Sequence, residues 1–432
     1  MSDPVIIVGG GLAGSEAALQ LARREIPVVL YEMRDKVQTP AHKTSDFAEL
    51  VCSNSFKGLG LTSAHGLFKQ ELLNFDSYLL HAALRARVPA GESLTVDRKH
   101  FSEEVRQLLE NNPLIEIRRE EFTGIDPERY TLIAAGPLCS QKLSQEIFEL
   151  TGSRKLHFFD AIAPVVDIDS VDMSHAFYKN RWEKGETQDF LNCPLNKLEY
   201  DAFVQALVHA EQHEPKPFEP RELFEGCLPI EEMASRGPET LRFGPMRPIG
   251  LRNEVTGEKY HAVLQLRKET ESGSLYNMVG FQTRLKWGTQ KEIFSIIPAL
   301  KNAEYVRLGA MHRNTFIDSP TLLNRYLNLP GTRLFFAGQI TGAEGYTEAV
   351  GTGLYAAIQI AARLKGHAGV EFPKASCLRA LTDHLCAPNP EFQPMNFNFG
   401  LLPKLETKRK SEKKALMAQN ALDSVKAWQL PV

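Results

Sequence analysis

The 432-residue sequence is short of several things, and each shortage excludes something. No apolar run approaches the ~20 residues that cross a bilayer, so no membrane role is expected. The opening MSDPVII has no basic n-region and is not expected to be a signal peptide. Cysteine is sparse, with six residues at 52, 139, 193, 227, 377 and 386 and no C-x-x-C pair. That argues against a disulfide scaffold and a metal site, and for reduced thiols in the cytoplasm. There is no internal repeat. An excess of one charge is also missing: 50 Lys/Arg against 53 Asp/Glu leave a net −3, which gives no global pull toward nucleic acid.

What is present is an ordinary globular composition, 43% hydrophobic and 24% charged, long enough for two or three domains. The charge is unevenly spread. From Lys404 onward seven Lys/Arg face three Asp/Glu, so the tail carries +4 and the remainder −7. Lys408, Arg409, Lys410 and Lys413 are the candidate RNA-backbone contacts on a helix starting near Glu406. The competing reading is a solvated helix that covers the body, with Leu405, Leu416 and Trp428 docked.

VIIV (Val5–Val8) has the all-apolar pattern of a buried strand. It runs into Gly9-Gly10-Gly11-Leu12-Ala13-Gly14, a G-x-G-x-x-G spacing, and then into the helical pattern SEAALQLARRE. Gly9 permits the tight turn, Gly11 lets backbone approach a pyrophosphate, and Gly14 lets helix and strand pack closely. A second strand, PVVLYE, ends in Glu32, 18 residues past Gly14, where an acid suits the ribose of an adenosine. Far downstream, RLFFAGQITGAEGYTEAVGTGLYAAIQIAARL reads as strand, Gly-rich loop and long helix. Gly338, Gly342 and Gly345, followed by Tyr346, and then Gly351 and Gly353, are expected to keep backbone close to something flat or anionic. This segment resembles the closing motif of two-dinucleotide-binding flavoproteins, and TLIAAGP resembles their middle signature. The ordered motifs point to FAD. A second GxGxxG is missing, so a nicotinamide is expected to bind only transiently.

Nearly 200 residues separate Gly136 from Arg333. Within them DAIAPVVDI and HAVLQLR are strand-like, EYDAFVQALVHAEQH is helix-like, and PKPFEP breaks the chain. Two cysteines stand out by their surroundings. Cys52 lies in VCSNS before a Gly-rich loop. Cys227 lies in EGCLPIEEMA before an acidic helix start. Both are places where exposure and N–H groups favour a thiolate. Cys139, Cys193, Cys377 and Cys386 read as small buried hydrophobes. Arg242, Arg247 and Arg252 recur in LRFGPMRPIGLR, as contacts to RNA phosphates, to the glutamyl tail of a folate, or as surface ion pairs.

GGGLAGSEAA, VCSNS, RVPAG, VDR, NCP, EGCLPIEEMA, RGPETLRFGPMRPIGL, VGFQTRLKW, MHRNTF and AGQITGAEGYTEA are collinear from about residue 5 to about residue 400. Together they resemble the folate- and FAD-dependent tRNA (uracil-5-)-methyltransferase family, TrmFO. The resemblance implies an α/β fold: a Rossmann-like FAD-binding domain of the two-dinucleotide-binding flavoprotein type, split over residues 1–160 and 330–400. A mixed α/β insertion domain would occupy 161–329 and a basic tail 401–432. It implies methylenetetrahydrofolate as one-carbon donor, NADH or NADPH as reductant of FAD, and 5-methyluridine in the T-loop of tRNA as product. No obligate protein partner is expected. The family's two functional cysteines fall on Cys52 and Cys227, and its histidine stacked near the folate pteridine falls on His312.

The chemistry suits those residue types. C5 of uracil is a poor nucleophile until a thiolate adds to C6 and makes C5 an enolate carbon. A base must later remove the C5 proton, and two cysteines can divide the roles. Cys227 is taken as nucleophile and Cys52 as acid/base, with the reverse assignment open. The nearest rival is the wobble-uridine modification family MnmG, which shares the opening and the AGQ motif. Its C-terminal helical domain would need more chain than follows Tyr355. Three further functions compete: methylation of ribosomal RNA, RNA binding by a flavoprotein without turnover, and generic FAD-dependent oxidoreduction of a small substrate. Intact Cys52 and Cys227 argue against the second, and the basic tail argues against the third.

Overall fold

The run VIIV becomes the central strand of a parallel sheet, Val5–Val8, with every residue buried. In this computed structural model the sheet has five strands. Their order is Leu334–Phe336, Thr131–Ile133, Val5–Val8, Val28–Tyr31 and Ile115–Arg118, all parallel. The structure describes residues 3–39, 41–152, 156–183, 188–212, 228–252, 257, 259–390, 392–405 and 412–429. Strands this apolar need cover on both faces. Helix Leu12–Ala22 supplies part of it and is itself buried from Ala13 to Ala22, because the long helix Tyr346–Leu364 packs across it. Small residues make that crossing possible: a Cβ on Gly353 would lie 2.2 Å from the Ala13 carbonyl oxygen.

Buried apolar side chains form two clusters. One collects residues from Val5 to Ile147 and from Phe316 to Leu422. The other runs from Val166 to Leu300. An antiparallel ribbon, Leu156–Ile162 paired with Ala310–Phe316, carries the chain out and back. The second cluster packs on a six-stranded antiparallel sheet ordered Phe177–Tyr178, Phe190–Leu195, Ala262–Lys268, Leu275–Met278, Val165–Asp167 and Tyr305–Arg307.

Several expectations need adjusting. DAIAPVVDI, taken as one strand, is split at Ala163-Pro164 between the ribbon and the six-stranded sheet. Proline has no N–H for the ladder, so the chain can change sheets there. The helix expected in EYDAFVQALVHAEQH runs over Lys197–Val208, opened by a reciprocal capping box between Asn196 and Glu199. PKPFEP lies outside the described residues. In the tail, the helix is Lys413–Lys426, and Met417, Ala418, Ala421, Leu422 and Val425 are its buried face, packed on helix Ala64–Asn74. Trp428 lies 4.8 Å from the Phe372 ring, centroid to centroid, and Leu405 also packs on the first cluster. Leu416, expected to dock, is 45% exposed: it points away from the face that Met417 and Leu422 define. Lys408, Arg409 and Lys410 lie outside the described residues, and Lys413 is exposed at the helix start.

Candidate active site

Four loops meet at the carboxyl ends of four parallel strands, the place where open α/β sheets bind ligands. Gly9, Gly11, Leu12 and Ala13 follow the first strand, Glu32 and Arg34 the second. Ala134–Pro137 and Gly338–Gln339 follow the other two, and all line one cleft of about 970 Å³. A Cβ on Gly14 would sit 1.9 Å from the Gly9 carbonyl oxygen, so that glycine joins helix to turn. Gly11 differs: a Cβ there meets nothing within 4 Å. It borders open cleft, and the helix behind it has no side-chain cap and no acid in its first turn. Unpaired helix N–H groups facing a glycine-walled cleft fit a dinucleotide pyrophosphate.

Glu32 is buried where the sequence placed it, but its oxygens are engaged. It accepts from the Gly10 N–H at 3.0 Å, the Arg34 N–H at 3.0 Å and the Arg34 guanidinium at 2.8 and 2.9 Å. Burial pushes its carboxyl up, and the hydrogen bonds and charge of Arg34 outweigh this, so it titrates below its ordinary value. With two donors on each oxygen, a ribose hydroxyl has to displace one of them. Gly342 and Gly345 do not line this cleft. A Cβ on Gly342 would strike the Phe392 ring at 2.5 Å, and Gly345 caps the long helix beside Glu348. Gly351 and Gly353, expected near a flat or anionic group, instead admit Phe68 and the backbone of Ala13.

Tyr346, the first residue of the long helix, joins the cleft to Cys52. The N–H groups of Cys52 and Ser53 donate to its hydroxyl at 3.1 and 3.0 Å, and that hydroxyl donates to the Ser53 carbonyl at 2.8 Å. Burial, followed by the Cys52 charge, pushes the Tyr346 phenol up, so it stays a neutral clamp. From the six-stranded sheet Arg267 donates to Ser53 Oγ at 2.8 Å and Asn54 Oδ1 at 3.2 Å, and Arg307 donates to the Val51 carbonyl at 3.2 Å. Asn54 returns a bond to the Lys268 carbonyl at 2.9 Å. Burial, then repulsion from Arg98, lowers the Arg307 guanidinium to about 10. Both guanidinium groups interact electrostatically with Cys52. The Cys52 loop is therefore held where the two clusters meet and at the edge of the cleft.

Sequence reasoning missed Arg267, Arg307 and Lys69. Lys69 is buried behind this loop and donates to the Phe56 carbonyl at 2.7 Å, while the Phe56 ring lies 5.6 Å from that of Tyr346. Burial lowers its ammonium to about 7 from the ordinary 10.5, with the Glu348 charge opposing. Between those values the unfolded chain binds a proton that the folded chain has released. Stability from this group therefore rises with pH across the window, by at most about 1.4 kcal/mol per pH unit. Below pH 7 its burial penalty is fully present. Urea unfolding of Lys69→Met at pH 7.5 and 9.5 is expected to lack that rise, and a rise equal to the parent's would assign it to other groups.

Cys227 lies outside the described residues. The helix after it, Ile230–Ser235, has the expected acidic start, Glu231 and Glu232. His312 is in the ribbon strand Ala310–Phe316, opposite Asp160. Arg242 pairs with Glu239 and donates to the His261 carbonyl, whereas Arg247 and Arg252 are exposed. Among the described residues no cysteine is in a disulfide, no cluster of His, Cys, Asp and Glu could hold a metal ion, and no helix is long and apolar enough to cross a membrane.

A family model described as "Glucose inhibited division protein A" matches residues 4–368. A protein of Desulfitobacterium hafniense (strain Y51) named methylenetetrahydrofolate--tRNA-(uracil-5-)-methyltransferase TrmFO is 49% identical over 420 residues, 96% of this chain and 96% of that one. A Listeria innocua protein of the same name is 50% identical over 430 residues, 99% of each. Among solved structures, Aquifex aeolicus GidA in its form II crystal matches with a TM-score of 0.69 and 17% identity, over 98% of this chain and 73% of that one. At that identity the likeness concerns the fold.

Proposed function

The chain belongs to the TrmFO family, and we propose that it methylates C5 of a uridine in tRNA at the junction of the dinucleotide cleft and the Cys52 loop. The one-carbon donor is methylenetetrahydrofolate, the cofactor is FAD and the reductant is NADH or NADPH. The observation that carries the reading is Tyr346, which borders the cleft and holds the backbone of Cys52. FAD, when bound, relays hydride from the nicotinamide to the one-carbon unit.

Gly9, Gly11 and the Leu12–Ala22 helix start would hold its pyrophosphate, with Glu32 and Arg34 beside its ribose. In our assignment the Cys227 thiolate adds to C6 of uracil, the ring electrons move to C5, and C5 bonds the one-carbon unit. Cys52 then takes the C5 proton, and the electrons of that C–H bond expel the amine that carried the one-carbon unit, leaving an exocyclic methylene on C5 that the hydride converts to methyl. After hydride delivery the C5–C6 double bond re-forms and the Cys227 thiolate leaves. Tyr346, Arg267 and Arg307 are positioning residues that fix the Cys52 loop. The cell compartment that fits a tRNA substrate is the cytoplasm.

The test is direct. Purified protein should be yellow and should release flavin on denaturation. With tRNA, methylenetetrahydrofolate and NADPH it should add one methyl group to one uridine, located by nuclease digestion and mass spectrometry. A flavin-loaded protein that leaves tRNA unchanged would refute the reading. Product only at the wobble position would favour an MnmG-like activity, and product only in ribosomal RNA would change the substrate.

A further inference from the structure

A second concavity lies beside the edge strand Phe177–Tyr178 of the six-stranded sheet, the edge opposite the strand Tyr305–Arg307. Its wall includes Lys179, Trp182, Arg242, Arg252, Lys259 and Tyr260, and the space is about 1720 Å³. No carboxylate is among the described residues that line it, although the chain as a whole is slightly acidic. Trp182 is 62% exposed and has φ 61°, a left-handed conformation that costs a bulky residue energy. It is kept there by its neighbours. Arg181 donates to Gln265 Oε1 at 2.8 Å and to the Arg247 carbonyl, and Gly250 leaves room for the indole, which a Cβ would approach to 3.2 Å. Phe243, in the same Arg-rich segment, is 78% exposed.

Resting on the reading of this protein as an RNA methyltransferase, we propose that this groove docks the body of the RNA substrate. Exposed cations beside a largely exposed indole are the chemistry that phosphates and unstacked bases recognise. Position supports the same assignment. The strand Ala262–Lys268 continues from Lys259–His261 at the groove to Arg267, which holds Ser53 and Asn54. Six residues of extended chain cover about 20 Å. At its other side the groove approaches the junction, since Lys179 donates its N–H to the carbonyl of Phe190, the residue paired with Arg267. A folded RNA spans such a length while one nucleotide enters the junction. Arg252 and Lys259 contact phosphates and Trp182 stacks on a base. Arg242, anchored to Glu239 and the His261 carbonyl, shapes the wall.

The experiment uses flavin-loaded full-length protein and a tRNA transcript, with affinity measured at several salt concentrations. Arg252→Gln combined with Lys259→Gln should lower the slope of log K against log salt by about 1.4–1.8, two phosphates' worth. Trp182→Ala should weaken binding by about tenfold or more, as loss of one stacked base does, and Trp182→Phe should restore most of it. All variants should keep the parent's rate of flavin reduction by NADPH, and their kcat at saturating RNA, with KM for RNA raised. Parent-like affinity and slope in these variants would overturn the proposal. So would a changed sedimentation coefficient with unchanged RNA affinity, which would make the groove a contact between copies of the chain, or a raised KM for methylenetetrahydrofolate. Failure of the parent itself to methylate tRNA would instead refute the function on which the proposal rests.

Discussion

Cys52→Ala is expected to give a folded, yellow protein whose methylation rate has fallen by about three orders of magnitude or more, the usual scale for loss of a group that does covalent or proton-transfer work. The fold should survive because several hydrogen bonds hold this loop through groups other than the thiol. Tyr346 binds the backbone N–H groups of Cys52 and Ser53, Arg267 binds Ser53 and Asn54, and Arg307 binds the Val51 carbonyl. Cys227→Ala should show a loss of the same size. Near-parent rates in both variants would eliminate thiol addition to C6. RNA carrying 5-fluorouridine separates the roles, since fluorine at C5 blocks the proton removal that follows addition. A covalent adduct kept by Cys52→Ala and lost by Cys227→Ala assigns Cys227 as nucleophile, and the opposite pattern reverses the assignment.

Gly11→Val and Gly14→Val should part company, although both sit in one GxGxxG. Gly11 has φ −76°, which any residue adopts, and its Cβ would meet nothing within 4 Å. The variant should therefore fold with a parent-like melting temperature. Its side chain projects into the cleft that the pyrophosphate would fill, and forcing bulk into a filled site costs about 1–3 kcal/mol, or roughly ten- to hundredfold in FAD affinity. At Gly14 the Cβ would sit 1.9 Å from the Gly9 carbonyl oxygen, so strand and helix must separate. That variant should lose at least about 3 kcal/mol of stability before any cofactor is considered. Circular dichroism of the apoproteins and flavin titration distinguish the two. Equal flavin affinity in Gly11→Val and parent would remove Gly11 from the cofactor site.

The legible part of the fold was local. VIIV, the glycine spacing, LFFAG and the helix after it announce themselves within a few residues, because strand burial and turn geometry are set by near neighbours. Glu32 was placed correctly at the end of its strand, but Arg34, only two residues on, occupies its oxygens; a pattern search assigns positions, not hydrogen bonds. The clamp on Cys52 could not be read at all. It joins a loop near residue 52 to Arg267, Arg307 and Tyr346, and no periodicity links residues so far apart in sequence. Gly351 and Gly353 show the reverse error: a cluster of glycines suggested a ligand, and at these two the approaching groups are Phe68 and the Ala13 backbone. The groove at Trp182 was half visible. The arginines of LRFGPMRPIGLR were conspicuous, while the tryptophan beside them has its meaning only through Gly250 and Arg181.

The crossing of Gly353 over Ala13 has a consequence for how the protein is made. Helix Leu12–Ala22 is buried along almost its whole length, and the helix that covers it is not translated until residue 346 onward. At roughly 5–20 residues per second, the face of the first helix that Tyr346–Leu364 covers stays unmatched for on the order of 20–70 seconds after it leaves the ribosome, although the helices Tyr78–Arg85 and Arg98–Glu110 can pack on its other side earlier. The second cluster, whose buried residues run from Val166 to Leu300, is completed within that interval. Biogenesis is therefore inside-out along the chain: the middle can mature first, while the N-terminal βα unit waits as a sticky nascent segment. Ribosome stalling or premature termination before residue 346 would release a chain with a finished centre and an aggregation-prone beginning.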